Sequence, residues 1–443
     1  MSTLNDVVIE KLSGGLGRRN PEQDMVSGLL FDGVATEKLA LDQVKRLASL
    51  EDAEALGITA NYDVNGQSAY YQIQQFFRIN PSGDLYIMAT TADSYGFLVE
   101  KAMAMQEQAN GIIRQMAIIF SGDTSFRITT STVRIAQKQA ELGYKDYMPF
   151  EIILEGKGFD ADNATDATDL TELDSENVSV VVAMDPEKAF EQKLLQKNTM
   201  KAYTLGFREK IVKAAQGEGI FNVLDNLQEL KKENGAVLEF IYKDSYKNTA
   251  AVGLTLGAIS RAKVSENIAW IEKFNLTGEG FAKAGFVGGK AIKSLADLRT
   301  LNEKRYIFTK THTGLAGIYF NDSHTCTTGT SDYAYIENNR TINKATRLLR
   351  AALLPKLASP VLVDIDGKLP QSVSKSFEGL CRSALEGMVA NQEVSAFDVY
   401  VDPKQNILAT SELKVKAEIT PIGTARKIKV DLGFKNPFGI DKA

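Results

Sequence analysis

The chain has 443 residues, with 51 Lys and Arg against 56 Asp and Glu for a formal net charge of −5. That balance gives no global attraction for nucleic acid or an anionic membrane, and no run approaches the roughly 20 apolar residues of a membrane helix. Cys326 and Cys381 lie far apart in no metal spacing, which fits a reducing compartment without structural disulfides. The length allows about three domains, and the first dozen residues lack the basic-then-apolar pattern of a signal peptide.

Residues 1–22 read as an arm. Asp6 to Leu12, with Val7, Val8 and Ile9, is a short strand candidate. Gly14, Gly15 and Gly17 followed by Pro21 make a tether, because glycine permits positive φ and proline ends pairing. Residues 23–120 alternate strand and helix. Met25 to Phe31 predicts a strand, Leu39 to Leu47 a helix, and Ser49 to Glu54 a capped helix start. Ser68 to Phe77 predicts a helix that breaks at Asn80-Pro81-Ser82-Gly83, and Leu85 to Met88 a buried strand. A helix over Phe97 to Asn110 and a strand over Ile112 to Phe120 follow. Such alternation argues an α/β layer on a mainly parallel sheet.

Residues 121–177 read as an insertion, with a helix at Thr132 to Leu142, a strand at Phe150 to Leu154 and an acidic, Thr-rich loop from Gly156 to Asn177. A calcium loop there would need Asn or Asp at 164 and glycine at 165, where the chain has Ala164 and Thr165. A solvated surface loop is the plainer reading. Residues 178–330 return to the α/β layer. The pattern predicts a strand at Val178 to Met184, helices through Ala215 and over Val223 to Lys232, and a strand at Ala236 to Tyr242. Ala250 to Ile259, with Gly253 and Gly257, is a tight-packing segment, and Arg305 to Lys310 and Ala316 to Phe320 are the layer's last strands.

Residues 331–425 read as an α+β domain. Its first helix, Asn338 to Leu354, sets Ile342, Ala345, Leu349 and Ala352 on one face and Arg340, Lys344 and Arg347 on another, and Pro355 stops it. The basic face reads either as a solvated offset to the helix's negative end or as a contact with an acidic patch on a neighbour. After a short strand at Pro360 to Asp364, a helix over Gln371 to Val389 places Lys375, Glu378, Arg382 and Glu386 opposite Phe377, Leu380, Leu385 and Met388. Strands around Phe397 to Val401, Leu413 to Ile419 and Ile428 to Phe434 then alternate with period two. Residues 426–443, with Ile428, Val430 and Leu432 on one face, read as a second arm able to complete a sheet elsewhere. A local hairpin through Pro421 to Ala425 is the other possibility.

Candidate chemistry is sparse. Gly285 to Ala291 imitates a phosphate loop, but Ala284 stands where the pattern needs glycine and Ala291 where Ser or Thr would hold magnesium. Gly278-Glu279-Gly280 lacks the third glycine of a dinucleotide fingerprint, having Lys283. His312, Asp322, His324 and Cys326 form the one plausible metal cluster, in a threonine-rich segment where turn and strand-end roles are commoner. No residue is assigned as catalytic, cofactor-binding or metal-binding. An α/β enzyme binding a nucleotide at 278–289 is the rival from another class.

Tyr335 to Arg350, the Leu380/Leu385/Met388 spine, Val399 to Ile407, Leu413 to Ile419, Pro421 and Ile428 to Phe434 together resemble the C-terminal domain of contractile phage-tail sheath proteins. Gln75 to Ile87 is similar to a second stretch of that family, with Ser82-Gly83 where the family commonly doubles glycine. Ala251 to Gly257 resembles the family's small-residue segment, which packs beneath the C-terminal domain. The resemblance implies an α/β and α+β multidomain fold: an α/β layered core with an inserted domain, a C-terminal α+β sheath domain, and extended N- and C-terminal arms. It implies a structural protein without cofactors, not an enzyme, that polymerises as stacked six-membered rings around an inner tail tube and contracts. Its partners would be itself, the tube, and baseplate and terminator proteins, with no nucleic acid and no membrane insertion. It would act in a virion tail or injection particle assembled in the bacterial cytoplasm. The strands holding Val7, Val8 and Ile9, and Ile428, Val430 and Leu432, would complete sheets of adjacent copies. Lys375, Glu378 and Arg382 would face the tube. A baseplate or other tail protein sharing the domain is the alternative within this class.

Overall fold

The computed structural model describes residues 23–63, 67–122, 125–189, 193–197, 239–243, 246, 249–291 and 294–434. Val7, Val8 and Ile9 lie outside them. The chain divides into two units, Met1–Ala351 and Ala352–Ala443.

Unit 1 is built on six strands: β1 (Val26–Asp32), β2 (Val44–Leu47), β3 (Asp84–Thr90), β4 (Gln115–Ile119), β5 (Glu151–Glu155) and β6 (Val178–Val181). They lie in the order β2-β3-β1-β4-β5-β6, all neighbours parallel except β2 against β3. Every residue of β4, β5 and β6 is buried. Such strands need cover on both faces, so their sequences run apolar without alternation. The helices between them are α1 (Leu50–Ala55), α2 (Ala69–Ile79), α3 (Tyr95–Glu100), α4 (Ala102–Gln108) and α5 (Phe126–Lys145). The Ser49 and Ser94 hydroxyls cap α1 and α3 by accepting from the Asp52 and Phe97 amides.

Two expectations fail in this sheet. Residues 39–47 form no helix: Asp42 takes a left-handed φ of 56°, and β2 joins β3 as an antiparallel edge strand. Pairing to the sheet overrides the local apolar spacing, and Lys45 and Arg46 give the edge a charged rim. Residues 121–177 are not an insertion, because α5, β5 and β6 continue the central sheet. The acidic, polar connection before β6 masked that continuity.

A short helix, α6 (Pro186–Ala189), follows, and then β7 (Lys193–Lys197) pairs antiparallel with β8 (Glu239–Lys243) in a sheet of their own. A strand therefore stands at 193–197 where a helix was expected, and the helix expected at Val223 to Lys232 lies outside the described residues. Helix α7 (Val252–Arg261) packs on β4, β1 and β5 and against α2. Its glycines allow that approach: a β-carbon on Gly253 would lie 2.1 Å from the Gln72 carbonyl oxygen. The small-residue segment thus packs on α2 and the sheet inside unit 1. The Gln72 side chain pins the seam, donating to Ala250 O at 2.7 Å and accepting from Gly253 N at 2.6 Å.

Next come β9 (Gly285–Phe286), β10 (Lys290–Ala291), α8 (Leu295–Glu303), β11 (Thr309–His312) and β12 (Leu315–Phe320). Among the described residues β11 and β12 pair only with each other; the segment reaches the main sheet through a parallel bridge from Ile307 to Val181 and through Cys326 N, which donates to Val178 O at 2.8 Å. Helix α9 (Ile336–Leu353) begins well inside unit 1, with Glu337, Asn339, Arg340, Thr341 and Asn343 all buried. The second unit therefore starts at 352, not 331.

Unit 2 contains α10 (Gln371–Ala390), β13 (Val394–Tyr400), the single turn α11 (Ile407–Thr410) and β14 (Lys416–Pro421). Residues 360–364 carry no strand.

Candidate assembly surfaces

In unit 2, α10 buries Ser374, Glu378, Cys381, Leu385 and Met388 and packs on β13. β13 pairs antiparallel with β14, from Val394 opposite Pro421 to Tyr400 opposite Lys416. Among the described residues neither strand has a second partner. Two strands are below the three or more that an independently stable sheet usually needs. After Pro421, residues 422–434 form no strand and no hairpin with β14. Ile428, Val430, Leu432 and Phe434 are 81%, 76%, 94% and 108% exposed, so an alternating apolar segment leaves its own domain uncovered.

Within the charged stripe of α10, Glu378 is turned inward, while Lys375 and Glu386 are exposed and Arg382 is half-buried. Glu378 is buried and accepts from Val401 N at 3.0 Å and from Lys375 Nζ at 2.6 Å. The Lys375 hydrogen bond, then the Val401 amide, hold its carboxyl below the usual range. Arg382 donates to Val399 O at 2.9 Å and pairs with Asp398. These side chains fasten α10 to the end of β13, a use for polar groups that a helical wheel does not distinguish from solvation.

Arg340, Lys344 and Arg347 are likewise internal. Arg340 is 4% exposed and donates to Ala262 O, Lys263 O and Asp24 O, each at 3.2 Å. Lys344 and Arg347 each sit 2.6 Å from the Asp24 carboxylate. Within this chain they face Asp24 rather than open solvent. Asp24 escaped sequence reasoning; the available signal was an acid just ahead of the first buried strand facing a basic i, i+4, i+7 row.

Glu151, on β5 beneath α9, was also missed. Its Oε1 accepts from Asn177 and Asn343 at 3.0 and 2.9 Å, and its Oε2 is buried without a hydrogen-bond partner. Burial pushes its carboxyl up to about 7, against the pull of the two asparagines and Arg340. A raised carboxyl contributes stability below its unfolded value of 4.5, and that contribution is lost as pH rises through about 7. Glu151→Gln should therefore match wild type in melting temperature at pH 5 and exceed it at pH 8. Parallel melting curves across that range would remove the assignment.

The chemical candidates resolve into structure. Gly285 to Ala291 is the β9–β10 hairpin, with Gly288 and Gly289 at φ of 87° and 70° in its turn. The His312 ring lies 5.8 Å from the Tyr319 ring, tilted by 56°, while His324 Nε2 lies 3.1 Å from Asn302 Oδ1. Burial pushes the Cys326 thiol well up. No group of three His, Cys, Asp or Glu is placed to hold a metal, and no helix is long and apolar enough to cross a membrane, among the described residues. A doubly wound sheet binds ligands beyond the carboxyl ends of its strands, where the strand order reverses. Here that is the gap between β1 and β4, and the chain's own groups fill it. Asp32 accepts from Ser121 N at 2.6 Å, and Lys157 Nζ donates to Phe120 O at 2.5 Å and Ser121 O at 3.2 Å.

This architecture is shared with solved contractile assemblies. The chain matches one from the helical sheath of the anti-feeding prophage in its contracted state, with TM-score 0.57, 12% identity and coverage of 98% of this chain and 100% of that one. A chain from the baseplate of the same particle gives 0.59, 11%, 98% and 100%. The sheath complex of PVC, an extracellular contractile injection system, in its contracted state gives 0.55, 10%, 98% and 98%. The fold is therefore that of contractile sheath proteins, as the sequence resemblance implied. No curated protein matches the chain. The DUF2586 N-terminal domain matches residues 4–324 and the DUF2586 C-terminal domain residues 332–439, and the chain belongs to that family.

Proposed function

We propose that this protein is the sheath subunit of a contractile tail or injection system. Copies stack as six-membered rings around an inner tube, bounded by baseplate and terminator proteins, and the stack contracts to drive the tube through a target envelope. The observation that carries this reading is the open sheet of unit 2 beside its own exposed, alternating segment 428–434. An incomplete sheet and an extra alternating apolar segment within one chain are complementary between chains, because ladder hydrogen bonds are indifferent to side-chain identity. The N-terminal segment holding Val7, Val8 and Ile9 supplies the second linking strand. Contraction is then a rigid-body rearrangement about these links, with its energy stored in the extended lattice and no nucleotide required.

Purified protein should form long hollow cylinders under negative stain. Deleting residues 1–12 should leave a soluble, folded monomer that forms none, and cylinders from that truncation would defeat the strand-exchange mechanism. A second reading, a baseplate component, draws on the match to a baseplate chain; it predicts single rings that never elongate.

A further inference from the structure

Asp24 lies just beyond the N-terminal arm and is 9% exposed. Both its carboxylate oxygens are engaged, Oδ2 by Lys344 Nζ and Oδ1 by Arg347 Nη2. Its carbonyl accepts from Arg340 Nη2 at 3.2 Å and from Gln115 Nε2 at 3.3 Å. The next carbonyl, of Met25, accepts from Ser260 Oγ at 2.7 Å. Groups on α9, β4 and α7 thus converge on two consecutive residues at the very start of the described chain. First residues of a domain ordinarily fray unless something ties them down.

Arg340, Lys344 and Arg347 fall at i, i+4 and i+7 of α9, and Arg114 sits close enough that Arg347 and Asp24 both act on its charge. The Asp24 carboxylate holds Lys344 and Arg347 beside the start of β1, and Asp24, Glu151 and Glu266 all act on Arg340.

We propose that Asp24 is the anchor of the N-terminal arm: a positioning residue that fixes where the chain enters β1 and delivers load arriving from the N-terminal side into helix α9. The inference rests on the sheath reading. Without the clamp, tension on the arm falls directly on the end of β1, the strand flanked by β3 and β4 in the sheet, and peels it one hydrogen bond at a time. With it, tension meets an 18-residue helix whose first half is buried.

The test uses full-length Asp24→Asn, Asp24→Glu and Arg347→Gln, with Ile118→Val in β4 as a destabilised control away from the clamp. Melting temperature is measured on unassembled protein and cylinder length by negative stain. Asp24→Glu and Ile118→Val should assemble as wild type does. Asp24→Asn and Arg347→Gln should fold with a lowered melting temperature and yield only rings or short stacks. Full-length cylinders from both clamp variants would overturn the proposal, as would a control shortened in proportion to its own loss of stability. Failure of wild type to form any cylinder would instead remove the sheath reading, and this inference with it.

Discussion

Gly253→Ala is expected to lower the melting temperature of unit 1 by on the order of 10 °C, corresponding to about 3 kcal/mol. Alanine in a helix interior ordinarily stabilises by about 1 kcal/mol over glycine, so the reversed sign is the informative outcome. The obstruction is backbone: the added carbon would stand 2.1 Å from Gln72 O and 2.7 Å from both Gln72 C and Gln72 Cα. A side chain in the way would turn aside, but a carbonyl inside α2 moves only if the helix moves. Gln72 itself resists that movement, since its amide spans the seam to Ala250 and Gly253. Gly257→Ala should cost less, about 1 kcal/mol, because its nearest obstacle, Phe76 O, is 2.8 Å away. Thermal melts of the two variants order them; a neutral Gly253→Ala would mean that α2 and α7 have room the geometry denies.

Val430→Asp with Leu432→Asp is expected to abolish cylinder formation while leaving the melting temperature of the free protein unchanged. Both side chains are already 76% or more exposed, and substitutions at such positions usually stay within about 0.5 kcal/mol. In a completed sheet the same two positions would face an apolar surface, where an unpaired carboxylate is strongly unfavourable. Asp431→Asn, on the opposite face of the segment, is the matched control and should assemble normally. Cylinders of ordinary length from the double variant would show that 428–434 does not enter a neighbour's sheet.

Much of this architecture was legible because its patterns are local. Buried parallel strands announced themselves as apolar runs at Val26 to Asp32 and Gln115 to Ile119, and the cap at Ser49 fixed a helix start. The alternation at 413–419 marked β14. What misled were features decided at a distance. Residues 39–47 carry helix-compatible apolar spacing, yet β3 recruits their last four as an edge strand. The basic row of α9 looked solvated because buried lysine and arginine are rare without a partner, and its partner, Asp24, lies more than 300 positions earlier in the chain. Glu378 read as part of a tube-facing stripe, and the Val401 amide that it accepts from lies 23 positions further on. In each case the deciding contact links residues that no periodicity connects.

The uncovered segment at 428–434 also bears on how growth would be governed. On the proposed sheath reading, a newly made copy would carry its adhesive already exposed, uncovered by any described residue of its own unit. Unscheduled polymerisation would then be restrained by the scarcity of a first ring to join, so that a seed, rather than subunit concentration, would set when and where a cylinder begins.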